Sequence, residues 1–432
     1  MNPKKKVLII TYYWPPSGGS GVQRWVKFCK YLPGFNIEPI VLTVKNGTYP
    51  LLDETLIDQV PKDLKVFRSK IFEPYKLYAK ILGKTTKDVA TPSIAFSTDK
   101  SIFQKLGVWI RANFFIPDAR RGWVYPSTKK AKEIISNHEI STIITTGPPN
   151  STHLIGSKLK KWNPKIKWIM DMRDPWSKIF FNQIIPRTSI ATSIDEYYEK
   201  QALKLADEVI VISKGMLKIQ KEIYNRYYKV LTNGFDHSDF PEIDTTPNQK
   251  ITIKYVGSMT DSAIPFIFFD ALKSLTPEKR SLLSIDFYGS VTSKVFRIIE
   301  DYKLDDIIKF HGYIPHLEAK KEMQRSDFLL LVIPDTTDNE LILTGKIFDY
   351  IAAKKPILCI GPIPGDASDI VLNNNLGSCF RYNERDLLLN FIEDILDGEI
   401  KNYKTLDIDF KNHPFSRYNL SSKLSNLIKT IN

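Results

Sequence analysis

Short runs of aliphatic and β-branched residues alternate with longer amphipathic stretches along most of this chain, and that alternation leaves few folds open. A run such as Val7-Leu8-Ile9-Ile10 is apolar on both faces of a strand, so it needs cover on both sides. The amphipathic stretches provide it if each crosses back as a helix, giving βα units around a parallel sheet. Strands are predicted over 7–11, 39–44, 142–145, 167–171 and 208–212, each ending in a loop with Gly, Pro, Ser or Asp. The same grammar restarts over 252–256, 284–288, 308–311, 327–333 and 356–360.

Two such series in 432 residues imply two α/β domains, because single cores stop growing well short of that length. The break falls at Val230 to Asp236 and the polar, proline-bearing run 239–249, with Asn233-Gly234 suited to a turn of positive φ. This places domains at 1–230 and 231–414, followed by a helical tail at 415–432. Residues 49–118 break the first βαβ rhythm and read as an insertion.

An apolar fraction of 43% with 25% charged residues is that of a globular protein. The formal charge of +13 favours an acidic partner: a nucleotide diphosphate, nucleic acid or an anionic membrane surface. Much of the lysine excess, such as Lys129-Lys130, Lys158-Lys160-Lys161 and Lys320-Lys321, has the spacing of a solvated helix face. No basic helix interleaved with aromatics is visible, so nucleic acid is not expected. Cys29, Cys359 and Cys379 lie apart with no CxxC pair and read as reduced packing residues. Lys4-Lys5-Lys6 before the first strand lacks the long apolar stretch of a signal peptide, and no apolar run reaches membrane-spanning length. The expected location is the cytoplasm.

The motifs cluster after strands, where an open parallel sheet binds ligands. Gly18-Gly19-Ser20-Gly21 with Arg24 opens a helix. Either its glycines admit close approach of a substrate and its amides an anion, or it is a flexible turn with Arg24 exposed. Gly147-Pro148-Pro149 leads to His153 in the next helix, as a catalytic or a structural imidazole. Asp171-Met172-Arg173-Asp174-Pro175-Trp176 could orient sugar hydroxyls or anchor its loop by ion pairs, and it is not a DxD metal signature.

In the second series, Gly257-Ser258 ends a strand in a loop able to offer amides to phosphate, and Tyr313 follows a strand where it could stack on a base. Each is equally readable as an ordinary turn. The most informative stretch runs from Thr344 to Ile357. A helix entered through Thr344-Gly345 would present amides, with Lys346 in its first turn and Asp349 about one turn on. A diphosphate at the amides and a ribose at Asp349 would fit one bound nucleotide.

On these residues the sequence resembles the GT-B glycosyltransferases of family 4, particularly the bacterial branch that builds surface polysaccharides. The features are Gly18 to Arg24, Gly147 to His153, Asp171 to Trp176, Asn233-Gly234-Phe235-Asp236 and Thr344 to Pro356. The resemblance implies two Rossmann-like domains facing a central cleft, with the last helix crossing back to the first domain. It implies retaining, metal-independent transfer of a hexosyl group, without a cofactor, from a nucleotide-diphosphate sugar to a glycan or lipid-linked acceptor.

By motif, donor contacts would fall to Gly19, Gly257, Ser258, Tyr313, Thr344, Gly345, Lys346 and Asp349. Acceptor contacts would fall to Gly18, Gly21, Asp171, Arg173 and Asp174, with His153, Lys346 and Arg24 as the catalytic set. Two departures stand out. Gly257 is followed by Ser258-Met259-Thr260-Asp261 where the family usually has Arg and Lys, and Leu341 stands where the first glutamate of its E-x7-E pair belongs. Phosphate clamping is therefore expected from Lys346 and Arg24. The alternatives are a nucleotide-sugar 2-epimerase of the same fold and a degenerate, non-catalytic nucleotide-sugar binder. Trp109 to Phe115 with Arg120-Arg121-Gly122-Trp123 mixes aromatics and cations, either as a contact with the inner face of a membrane or as a buried insert.

Overall fold

The computed structural model describes residues 4–71, 102–179, 185–243, 248–399 and 406–431. They divide into two compact units, Met1–Thr232 with Arg417–Asn432, and Asn233–Ser416.

The first unit is built on β1 (Lys5–Thr11), β2 (Ile37–Val44), β3 (Lys65–Ser69), β4 (Thr142–Gly147), β5 (Lys167–Met172), β6 (Glu208–Val211) and β7 (Lys229–Val230). They form a seven-stranded sheet in the order β3-β2-β1-β4-β5-β6-β7, parallel throughout. Its described helices are α1 (Ser20–Tyr31), α2 (Ile102–Phe114), α3 (Val124–His138), α4 (Ser151–Trp162), α5 (Ser189–Leu205) and α6 (Lys214–Ile223). Alternation along β1 divides the core. Leu8, Ile10 and Tyr12 pack with Trp123, Ile155 and Trp168 on one face, while Val7 and Ile9 pack with Trp25, Phe28 and Ile169 on the other.

The second unit has β8 (Ile251–Val256), β9 (Leu283–Tyr288), β10 (Ile308–Gly312), β11 (Phe328–Val332), β12 (Ile357–Ile360) and β13 (Gly377–Phe380). Their order is β10-β9-β8-β11-β12-β13, again all parallel. Around it lie α7 (Phe266–Ser274), α8 (Pro277–Ser281), α9 (Ser293–Tyr302), α10 (His316–Gln324), α11 (Lys346–Ala352), α12 (Asp366–Asn373) and α13 (Arg385–Leu396). The last helix, α14 (Arg417–Thr430), belongs to the first unit. Its Leu420, Leu424 and Ile428 recur every fourth residue and are buried in the same core as Trp25 and Phe28, each burial worth roughly 2 kcal/mol.

The ten strands expected from the alternation are all present, and the α/β class with two Rossmann-like sheets holds. Several local expectations are corrected. Residues 49–118 contain the edge strand β3 and the helix α2, so they are not simply an insertion; 72–101 lie outside the described residues. Neither Asn233 nor Gly234 takes a positive φ, and the next residue's amide, Phe235 N, donates to Phe415 O at 3.0 Å. Lys160 and Lys320 are not merely solvated: Lys160 Nζ binds Asp207 at 2.7 Å, and the buried Lys320 donates to Asp239 O. Cys359 and Cys379, distant in sequence, are register partners on β12 and β13.

Candidate functional site

In each sheet the strand order reverses direction once, between β1 and β4 in the first unit and between β8 and β11 in the second. Loops leaving the carboxyl ends of those strands splay apart, and a ligand crevice opens there. The predicted motifs lie at or just after the carboxyl ends of β1, β4, β5, β8, β10 and β11, or on the helices that follow.

In the first unit the Arg24 side chain turns inward from α1. Its Nη2 lies 2.9 Å from Asp171 Oδ1 and donates to Leu231 O, while Nη1 donates to Thr232 O. Trp25 Nε1 and Thr146 Oγ1 complete the Asp171 carboxylate, and both members of the ion pair are wholly enclosed. Burial alone would raise the Asp171 carboxyl, but Arg24, then Arg173 and the Thr146 hydroxyl, outweigh it and hold it below the usual carboxylate range. The expectation that Arg24 clamps phosphate and Asp171 meets the acceptor is therefore corrected. Both side chains are enclosed in the core and have no surface open to a ligand.

Arg173 and Gly21 are brought together. The Arg173 side chain donates to Gly147 O at 3.1 Å and Pro148 O at 2.7 Å, which ties the β5 loop to the β4 loop. Its Nη1 lies over Gly21, where a Cβ would sit 1.2 Å away. Asp174 is exposed beside it. Gly18 packs against Leu51 and Asp53, and Gly19 takes φ +107° at the start of α1 with open space around it.

His153 is fully buried on α4. Trp168 Nε1 donates to Thr145 Oγ1 at 2.8 Å, and the same hydroxyl is hydrogen-bonded to His153 Nδ1 at 2.9 Å. His153 Nε2 is enclosed, has no hydrogen-bond partner and lies 2.5 Å from where a Cβ on Gly147 would be. Burial pushes the imidazole down to about 3, so it is neutral at any working pH and not a titrating acid or base. The amide end of α4 is already filled: Asp118 accepts from Ser151 N and Ser151 Oγ at 2.8 Å each.

In the second unit, three adjacent strands leave the sheet through glycines of positive φ, namely Gly257 (+141°), Gly289 (+115°) and Gly312 (+67°). Gly257 N donates to Tyr288 O and Gly289 N to Gly312 O, so the three loops stack edge to edge. A Cβ on Gly289 would lie 2.4 Å from Gly257 O, a close approach that only glycine permits. Gly289 was not among the predicted residues, although Gly directly after an apolar strand was the available signal.

Lys346 reaches from the start of α11 across this surface. Its Nζ lies 2.5 Å from Tyr255 Oη and 3.4 Å from Ser258 O, and a Cβ on Gly257 would meet its Cε at 2.3 Å. The Tyr255 hydroxyl donates to Ser258 O at 2.9 Å and so turns a lone pair toward the ammonium, which also lies 4.2 Å from the centre of the Tyr255 ring. Burial pushes Lys346 down to about 8. Thr344 Oγ1 accepts from Lys346 N at 3.4 Å, and Gly345 is exposed, with no atom within 4 Å of where its Cβ would be. Asp349 is half-buried one turn further on. Because α11 has only seven residues, the positive charge at this point is the ammonium more than the helix. Tyr313 is fully displayed beyond Gly312.

Among the described residues, no cluster of three or more His, Cys, Asp or Glu gathers as a metal site, and no helix is long and apolar enough to cross a membrane. No protein-family model matches the sequence, and no curated protein does. Solved structures match across the chain. HepE of Anabaena in complex with UDP has 15% identity and a TM-score of 0.55, covering 99% of this chain and 97% of that one. Sucrose-phosphate synthase of Thermosynechococcus elongatus has 12% identity and a TM-score of 0.58, over 99% and 95%. The lipopolysaccharide outer core galactosyltransferase WaaB has 13% identity and a TM-score of 0.55, over 98% and 99%. At such identities the likeness establishes the fold, which is that of the GT-B class.

Proposed function

We propose that this protein is a retaining glycosyltransferase of family 4 that moves a hexosyl group from a nucleotide-diphosphate sugar to a glycan or lipid-linked acceptor in surface-polysaccharide synthesis. The observation that carries the reading is the Lys346 ammonium lying across Gly257 at the reversal point of the second sheet. The family's usual Arg and Lys after this strand are replaced by Ser258 and Met259. Lys346 brings a cation to the same loop from the opposite side of the crevice, and the open space at Gly345 leaves room for phosphate oxygens. The UDP bound to HepE supports a uridine nucleotide as the first donor to test.

In this reading Asp349 holds the ribose, Tyr313 faces the base, and Lys346 neutralises the diphosphate as the glycosyl–oxygen bond breaks. A well-placed donor to such a leaving group lowers the barrier by a few kcal/mol, and with a protein cation in that place the transfer needs no metal. The acceptor hydroxyl attacks the anomeric carbon on the face from which the diphosphate departs, and the departing phosphate oxygen takes its proton. Arg173, held over Gly21, borders the acceptor, while the enclosed His153 packs behind Gly147 and supports the β4 loop. The enzyme works in the cytoplasm, at an anionic membrane face when the acceptor is lipid-linked.

The test is turnover of nucleotide sugars with and without acceptors. Acceptor-dependent transfer that Lys346→Ala abolishes is expected. Full turnover by Lys346→Ala contradicts the reading, and epimerised sugar formed without any acceptor assigns the site to a 2-epimerase instead.

A further inference from the structure

The formal charge is divided unevenly between the two units. Met1–Thr232 with Arg417–Asn432 holds 41 lysines and arginines against 19 aspartates and glutamates, a charge of +22. Asn233–Ser416 holds 20 against 29, a charge of −9. Several carboxylates of the first unit are, moreover, committed to its own fold. Asp171 is enclosed with Arg24, Asp195 accepts from Arg187, Asp207 holds Lys160, and Asp118 accepts from Ser151 N at the start of α4. The surplus is therefore one of surface cations, and a surface of one sign gathers ligands of the other.

Part of that surplus is ordered along α3 and α4, which pack against one another. Residues 124–138 carry three lysines and one acid, Glu133, which Lys130 neutralises at 2.6 Å. Residues 151–167 carry five lysines and no acid. On α3, Tyr125, Lys129 and Lys132 recur at i, i+4 and i+7 and form one stripe, with Tyr125 78% exposed. On α4, Lys158 and Lys161 are exposed one turn apart beside Trp162, itself 41% exposed. The two stripes meet where Lys132 Nζ lies 4.9 Å from the centre of the Trp162 ring. The helix α4 opens just after the carboxyl end of β4, and α3 closes just before its amino end, so both run from the ligand end of the sheet to its far edge. Each stripe is a track about 10 Å long, leading away from the loop where Arg173 binds Gly147 O.

The residue types indicate the occupant. Lysine ammoniums are point charges on flexible stems, suited to carboxylates or phosphates spaced along a mobile polymer more than to one fixed oxyanion. The exposed phenol and indole rings offer flat apolar faces to sugar rings. Tyr125 and Trp162 are the large apolar side chains exposed on these helices and no large aliphatic one is, so the face lacks the wedge that an interfacial helix sinks into lipid. We infer that the α3–α4 face, through Tyr125, Lys129, Lys132, Lys158, Lys161 and Trp162, binds an acidic glycan chain bearing carboxylate or phosphate groups and holds the acceptor polymer as it leaves the β4 loop. The choice of a glycan rests on the proposed transferase reading, but the readout is binding and does not require transfer.

Calorimetry of the full chain with polygalacturonate and with phosphomannan tests it, beside neutral dextran, a single-stranded oligonucleotide of matched charge and phosphatidylglycerol vesicles. Binding to at least one acidic glycan and none to dextran is expected. Lys158→Glu with Lys161→Glu on α4 should weaken that binding at least about tenfold, and so should Lys129→Glu with Lys132→Glu on α3. Trp162→Ala should weaken it while leaving its salt dependence unchanged, since no charge is removed. Lys218→Glu with Lys221→Glu on α6 makes the same change of charge away from the track and should cost less than about threefold. The unfolding temperature, and its rise with UDP, should persist in every variant, which separates loss of this face from loss of the fold or of the donor site. Absence of glycan binding, an equal loss from the α6 variant, or tighter binding to the oligonucleotide or the vesicles than to either acidic glycan would overturn the inference.

Discussion

The Lys346 ammonium donates to the Tyr255 hydroxyl at 2.5 Å, directly across the Cα of Gly257. The tyrosine proton is committed to Ser258 O, so the hydroxyl can only accept from the lysine. One residue of α11 is thereby fixed against the loop after β8, and a cation is placed where the loop itself supplies none.

Burial lowers Lys346 to about 8. Its ammonium is complete well below that pH and is lost as pH rises through it. A diphosphate binds the charged form, so donor affinity should be flat at lower pH and fall by up to about tenfold per pH unit above 8. Calorimetric titrations with UDP across this range, with Lys346→Met as the pH-independent control, check the sign.

Two glycines of the second unit should respond oppositely to alanine. Gly257→Ala combines a φ of +141° with a Cβ driven into the Lys346 stem, so it should cost about 1–3 kcal/mol of stability and most of the donor affinity. Gly345→Ala has an ordinary φ and meets nothing within 4 Å, so it should leave stability within about 0.5 kcal/mol. It should still weaken UDP if the diphosphate occupies that space. Denaturant unfolding and UDP titration of both variants separate fold from ligand.

Removing one partner of the enclosed Arg24–Asp171 pair strands a charge in the core. Arg24→Met or Asp171→Asn alone should destabilise by roughly 3–5 kcal/mol, and the double variant by less than the sum. The Asp171 carboxyl is depressed in the fold, so its contribution is present at neutral pH and is lost as pH falls through its folded value. Urea unfolding of the four proteins in this cycle measures the coupling.

His153 is held near 3 against an ordinary value of 6.5. The unfolded chain binds a proton there that the folded chain excludes, so stability should fall progressively as pH drops from about 6.5 toward 3. His153→Gln should flatten that part of the stability curve. It should also leave the pH profile of turnover unchanged in shape, since a neutral imidazole supplies no titration.

The strands were legible because their apolar runs need cover on two faces, a demand written locally in residues such as Val7 to Ile10. The missed strands lack that mark. β13 reads Gly377-Ser378-Cys379-Phe380, with Gly377 at φ +151° approaching the Ile357 backbone so closely that a Cβ would lie 2.0 Å from its carbonyl oxygen. β7 has two residues, and β3 is an exposed edge. Of the candidate site, the turn at Gly257 and the position of Lys346 at a helix start were legible because strand ends and helix starts have sequence signatures. Arg24 and Asp171 were misread because nothing local tells a charge facing a ligand from one facing a partner 147 residues away. Only the fold brings those two together.

The most direct test of the account is the affinity of the full chain and of Lys346→Ala for UDP and for uridine. If Lys346 is the phosphate cation, the substitution should weaken UDP roughly tenfold to a hundredfold while leaving uridine unchanged. Equal loss for both ligands, or no loss for either, would contradict it.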